Sequence, residues 1–163
     1  REDRVDRRFR AHQSGKRKWV VVMRERGGET LPGVFRSEFH ALSWVKHRVK
    51  RGTVLHADEA SSWNDLHAHF EMKRINHEQA YSLAGACTNW AESFFSRMRR
   101  AEVGHHHHIA GPYLLRFAQE MAWREDNRRL GNREQVERVA TLALSRKPSV
   151  DCCGYWQRHK ADA

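Results

Sequence analysis

Lys18 to Arg36 reads KWVVVMRERGGETLPGVFR, and its interpretation decides the fold. The centre of the first half, Trp19 to Met23, is apolar and β-branched, which is the signature of a buried strand. Gly27-Gly28 supplies a turn, and Glu29 to Arg36 (ETLPGVFR) returns as a partner strand. Pro32 has no N–H to give to a ladder, so it calls for an edge or a bulge in that second strand.

Working downstream, Ser37 is a good N-cap for a helix through about Val49, with Phe39, Leu42, Val45 and Val49 on one stripe. Gly52 ends it. Thr53 to Ala57 (TVLHA) is a short apolar strand that stops at Asp58-Glu59. Ser61 or Ser62 caps a short helix through Phe70, Met72 to Asn76 adds a brief strand, and Tyr81 to Thr88 reads as a loop. Asn89 opens a helix in which Asn89 and Glu92 form a capping pair and Trp90, Phe94 and Met98 form the apolar stripe. Pro112 then starts a helix reaching about Arg129, with Leu114, Phe117, Ala118 and Met121 facing inward. A last helix runs from about Arg133 to Ser145.

This order, two strands, helix, strand, helix, strand and further helices, is an α/β arrangement in which a hairpin feeds a mixed sheet. Upstream, Arg1 to Arg17 is polar and strongly basic with almost no apolar periodicity, an arm or exposed loop. The organisation expected is a basic arm over 1–17, an α/β domain over 18–130 and a C-terminal helix with tail over 131–163.

The 163 residues suit one domain that buries roughly 70% of its unfolded surface. Thirty Lys plus Arg against twenty Asp plus Glu leave a formal charge of +10. Such a surplus favours a polyanionic partner, because each neutralised phosphate releases condensed counterions. No apolar run approaches the ~20 residues a membrane span needs, and no secretory signal opens the chain, which points to the cytoplasm. Cys87, Cys152 and Cys153 are odd in number and lack CxxC spacing, so neither a disulfide framework nor a zinc site is expected.

Asp58 and Glu92 are the two acids whose positions make them candidates for chemistry. Asp58 ends a strand, where side chains emerge beside loops and ligands commonly bind, although any strand can end in an acid that starts a turn. Glu92 lies in the first turn of a helix, where an acid also complements the helix dipole. Arg99 is seven residues on, so Glu92, Ser96 and Arg99 share a face, with acid and guanidinium roughly 10 Å apart along the axis. Arg97, Arg99 and Arg100 make this helix a basic rod.

These residues also carry a resemblance. Ala57 to Trp63 (ADEASSW), Arg74 to His77 (RINH), Thr88 to Arg100 (TNWAESFFSRMRR), Gly104 to Ile109 (GHHHHI) and Tyr113 to Arg129 (YLLRFAQEMAWREDNRR) follow one another as in the ISXO-like transposase domain of bacterial insertion sequences. The resemblance covers about residues 1 to 130. It implies a ribonuclease-H-like mixed sheet flanked by helices and a DDE active site, with Asp58 as the second acid and Glu92 as the third. Asn89, of the Asn-x-x-Glu pair, is a rival or assistant; a carboxylate binds a hard cation better than an amide does. Arg99 matches the basic residue expected after the third acid. DNA contacts are expected from Arg97, Arg99, Arg100, His106 and His107.

The chemistry implied is two-metal phosphoryl transfer with Mg²⁺ or Mn²⁺, the ions about 3.5–4 Å apart, cutting transposon-end DNA and joining it to target DNA. The resemblance further implies a homo-oligomer on DNA and association with the bacterial nucleoid. The family's first acid belongs to a strand ahead of the hairpin. Asp3 and Asp6 are the only aspartates there, in an arginine-rich run without a strand pattern. Arg1 is not a methionine, and the expectation is therefore an N-terminally truncated domain, inactive alone. A DNA-binding remnant and a nuclease of the same fold are the alternatives.

Four further readings concern side chains near these motifs. His105 to His108 cannot all face one ion, so phosphate contact or loop packing is expected of them. His56 and His77 are expected to pack or hydrogen-bond. Trp44, Trp63, Trp90 and Trp123 fall on helical stripes as core residues, Trp63 with the option of stacking on a base. Glu120, mid-helix among apolar residues, is expected to be a buried, paired carboxylate.

Overall fold

In a computed structural model of the chain, residues 17–75 and 88–147 are described. The basic arm up to residue 16, the stretch from Tyr81 to Cys87, His77, and all three cysteines lie outside the described residues. The chain divides into two compact units, Arg1–Asp126 and Asn127–Ala163.

The first unit begins with β1 (Trp19–Arg24) and β2 (Thr30–Phe35), paired antiparallel from Trp19↔Phe35 to Arg24↔Thr30. The turn between them closes with the Gly28 N–H donating to the Glu25 carbonyl at 3.3 Å. Gly27 takes its third position at φ 74°, a conformation that costs glycine nothing and other residues dearly. Pro32 sits opposite Val22 in a strand whose other edge has no strand partner among the described residues, as a residue without an N–H requires.

Helix α1 spans Ala41–Arg48. It starts three residues later than the Ser37 cap predicts: Ser37 Oγ bonds the His40 ring at 2.6 Å, and no side chain caps the backbone amides at His40. Phe39 therefore precedes the helix, falls off the stripe and is 65% exposed, while Leu42 and Val45 are buried as expected. Strand β3 (Val54–Asp58) follows, then a 3₁₀ helix over Ser61–Ala68, and β4 (Glu71–Ile75) pairs parallel to β3. Helices α2 (Asn89–Ala101) and α3 (Leu114–Asn127) complete the unit, joined by a π turn over Glu102–His106 and a 3₁₀ turn over Gly111–Tyr113.

The fold is thus mixed α/β. The hairpin does not, however, run into β3 as one mixed sheet: among the described residues the strands form two two-stranded sheets. Side chains rather than backbone ladders join them. Met23 of β1, Leu55 of β3 and Met72 of β4 all pack on one cluster built from Leu42, Val45, Leu66 and Phe70. The opposite face of β1, through Val20 and Val22, packs on a second cluster of Phe94 and Met98 from α2 with Ala118 and Ala122 from α3. Two alanines against a phenylalanine and a methionine let the helices approach closely; each fully buried large side chain contributes ~1.5–3 kcal/mol. β1 is therefore covered on both faces, the pattern of an interior strand.

Two charged residues at the end of α3 tie these layers together. Glu125, 6% exposed, takes Arg24 of β1 at 2.8 Å and Arg97 of α2. Asp126 accepts the Thr30 N–H at 3.0 Å and the Thr30 hydroxyl at 2.6 Å. Glu120, expected to be buried, is instead 46% exposed and makes an i,i+4 pair with Arg124, because it lies on the outer face of α3. The buried, paired carboxylate of this helix is Glu125.

In the second unit, α4 (Asn132–Ser145) has no buried residue. Its polar face is laced by Arg133–Glu137 and Arg138–Glu134 pairs, and Arg138 also donates to the Asn127 side chain at 2.9 Å.

Candidate active site

Asp58 closes β3 and is fixed from three directions. Its Oδ1 accepts the indole N–H of Trp63 at 3.0 Å and the backbone N–H of Ala60 at 3.3 Å, while its own carbonyl accepts from Arg74 Nε. Arg74, on β4, also donates to the Ala60 carbonyl at 2.6 Å and to the Asn64 side chain at 3.3 Å, clasping the loop that follows Asp58. The carboxylate is exposed, and its Oδ2 accepts from no protein group among the described residues. Trp63 meanwhile packs its ring on the first core cluster. A half-buried indole packed on the core thus orients the exposed carboxylate to which it donates. Sequence reading offered Trp63 as core or as a base-stacking surface, and missed that its N–H could serve Asp58.

Glu92 occupies the first turn of α2, as expected, but its capping partner differs. The residue at the N-cap is Thr88, whose hydroxyl donates to Glu92 Oε1 at 2.9 Å; Asn89 is the first helical residue and is exposed. Thr88 has backbone angles that let it stand just outside the helix, a role the Asn89–Glu92 spacing obscured. Asp58 belongs to the β3–β4 layer on the first cluster and Glu92 to the helix on the second, with β1 contributing to both. Among the described residues no group of three or more His, Cys, Asp or Glu side chains is arranged to hold a metal ion.

On the basic face of α2, Arg99 and Arg100 are exposed, whereas Arg97 is drawn to Glu125 with its side chain 30% exposed. Arg24 is buried beneath the start of the helix, 5.0 Å from the Trp90 ring centroid, and burial lowers its pKa against the opposing effect of Asp126. Past the helix, His106 makes an edge contact with Phe117 at 4.5 Å between ring centroids, which is loop packing. His107, exposed, adopts a left-handed φ of 54°, uncommon for a residue with a Cβ. His56, on β3, lies against Arg26 at 3.3–3.4 Å; burial lowers its pKa, and the charges of Arg26 and Lys73 lower it further.

An acid held at a strand end, a second acid opening an arginine-bearing helix and a net charge of +10 are now in place. Residues 1–126 match the ISXO2-like transposase domain. The chain belongs to this transposase family. No curated protein matches it, and no solved structure does.

Membership in the ISXO2-like family ties the chain to insertion-sequence transposition and, by family, to DDE-type nuclease and transferase chemistry on DNA. Enzymes of such families typically use a divalent metal. The carboxylate oxygens of Asp58 and Glu92, joined by the amide of Asn89, are hard donors of the kind Mg²⁺ and Mn²⁺ select. No helix among the described residues is long and apolar enough to cross a membrane.

Proposed function

We propose that this transposase domain supplies Asp58 and Glu92, the second and third acids of a ribonuclease-H-like DDE site, for metal-dependent cutting of transposon-end DNA and its joining to target DNA. The observation that carries this reading is the anchoring of Asp58. Its Oδ1 is held by Trp63 and Ala60 while Oδ2 is left to a ligand. That is how a metal-binding carboxylate is oriented by its surroundings.

The sheet pattern supports the fold. A hairpin strand covered on both faces and a parallel β3–β4 pair that packs on one of the same cores are in keeping with a mixed sheet of that kind. When bound, the metal ions would polarise the scissile phosphate and activate the attacking hydroxyl. Asp58 and Glu92 would hold them, Asn89 standing beside Glu92 as the alternative oxygen ligand. Arg99 and Arg100, exposed two turns along α2, would grip the DNA backbone with His107, while Arg97 and His106 hold the helix and its following loop in position.

The test is metal binding. The chain is expected to bind duplex DNA and Mn²⁺, and Asp58→Asn and Glu92→Gln are each expected to lose the Mn²⁺. Mn²⁺ binding that survives both Asp58→Asn and Glu92→Gln sinks the assignment.

A further inference from the structure

Three cationic or hydrogen-bonding side chains converge at a place that neither the acids nor the basic face of α2 uses. Arg26, in the hairpin turn, lays Nη2 across the His56 ring, 3.4 Å from Nδ1 and 3.3 Å from Nε2. A neutral imidazole has one acceptor nitrogen, so this is a guanidinium resting on the ring rather than a single directed bond. His56 is the ladder partner of Lys73 in the parallel β3–β4 pair. The preceding pair, Leu55 and Met72, packs on the core, so by the alternation of a strand His56 and Lys73 face the other way, together.

Bringing two like charges to one ring costs energy that an anion between them would offset. Asp58 and Glu71 lie two residues away on this same face, one on each strand, so the positive field is confined to a single spot and not spread into a stripe. His56 and Asp58 are ~7 Å apart along β3.

We propose that Arg26, His56 and Lys73 bind one backbone phosphate of duplex DNA and so lay the strand across the β3–β4 face toward Asp58. This rests on DNA being the partner under the function proposed above. Arg26 gives the forked guanidinium that suits phosphate, Lys73 a point charge, and His56 a ring N–H. The site reads no base; it sets the register of the backbone.

Fluorescence anisotropy of the full 163-residue chain with a labelled duplex of arbitrary sequence, followed over a range of salt, tests it. Each neutralised phosphate contributes ~0.9 to the slope of log K against log salt, so Arg26→Gln with Lys73→Gln, which gives up that one phosphate, should lower it by about one and weaken binding at low salt on the order of tenfold. Circular dichroism and thermal melting check that the double variant folds. If it does not, the single Arg26→Gln, at an exposed turn, carries the test with a smaller change in the same direction. Unchanged slopes in these variants, beside a reduced slope in Arg99→Gln/Arg100→Gln, overturn this site and leave the α2 contacts standing. A wild-type chain that binds no duplex overturns both.

Discussion

Arg24 and Glu125 stand 101 positions apart in the chain and meet at 2.8 Å, with side chains only 6% and 3% exposed. The same carboxylate also takes Arg97 through its other oxygen. One buried acid thus couples β1, α2 and α3, and α2 is the helix that carries Glu92.

Removing the acid leaves Arg24 buried and uncompensated. Glu125→Gln is expected to destabilise the fold by ~3–5 kcal/mol, a large part of the ~5–15 kcal/mol available to a domain. Arg24→Met with Glu125→Leu should recover most of that loss, since an apolar pair of similar volume avoids the desolvation cost and Arg97, partly exposed, can turn to water. Glu120→Gln, which breaks only a surface pair, should cost under ~0.5 kcal/mol. Urea midpoints of the three variants rank these effects, and equal midpoints for Glu125→Gln and Glu120→Gln would show that the buried pair does not hold the layers.

The contrast between Glu120 and Glu125 shows where the sequence could be read and where it could not. Strand and helix periodicity located β1, β2, β3, β4 and every described α-helix, because apolar spacing reports local geometry directly. Glu120 drew attention through its apolar neighbours Met121 and Ala122. Yet the buried stripe of α3 runs Ala118, Ala122, and its next member by helical spacing is Glu125. An acid there makes sense only with Arg24 and Arg97, whose approach depends on the tertiary fold. Trp63 escaped for the same reason: its N–H has a partner only once the loop after β3 folds back under Arg74. The places of Asp58, last in β3, and of Glu92, in the first turn of α2, were legible because the ends of elements are marked locally.

The Thr30–Asp126 contact is a second clip between β2 and α3. Asp126 accepts both the backbone N–H and the hydroxyl of a 7% exposed residue. Asp126→Ala leaves two donors of Thr30 without an acceptor, at an expected cost of ~1–3 kcal/mol, whereas Thr30→Val removes only one donor and should cost less. Thermal melting of the two variants checks the order; a larger loss for Thr30→Val would mean that Asp126 is not the principal acceptor.

Ala118 is fully buried where α3 crosses the second cluster. Ala118→Leu would push α3 away from Phe94 and Met98, with an expected loss of ~1–3 kcal/mol by overpacking. Because Glu125 and Asp126 are on the same helix, their hydrogen bonds should loosen with it. Amide exchange at Thr30 reads this: faster exchange in Ala118→Leu than in wild type is expected, and unchanged exchange would show that the clip and the core are independent.

Trp63 makes a prediction that separates orientation from packing. Trp63→Phe keeps an aromatic ring against the first cluster and removes only the N–H that holds Asp58 Oδ1. Partners that orient a ligating carboxylate typically contribute 10–100-fold in metal affinity. Mn²⁺ titration should therefore show roughly tenfold weaker binding in Trp63→Phe, with a melting temperature close to that of wild type, while Asp58→Asn abolishes it. If Mn²⁺ binds Trp63→Phe as tightly as wild type, the indole is packing alone. The carboxylate would then owe its direction to the Ala60 N–H and the Arg74 clasp, and Arg74→Gln should weaken Mn²⁺ binding instead.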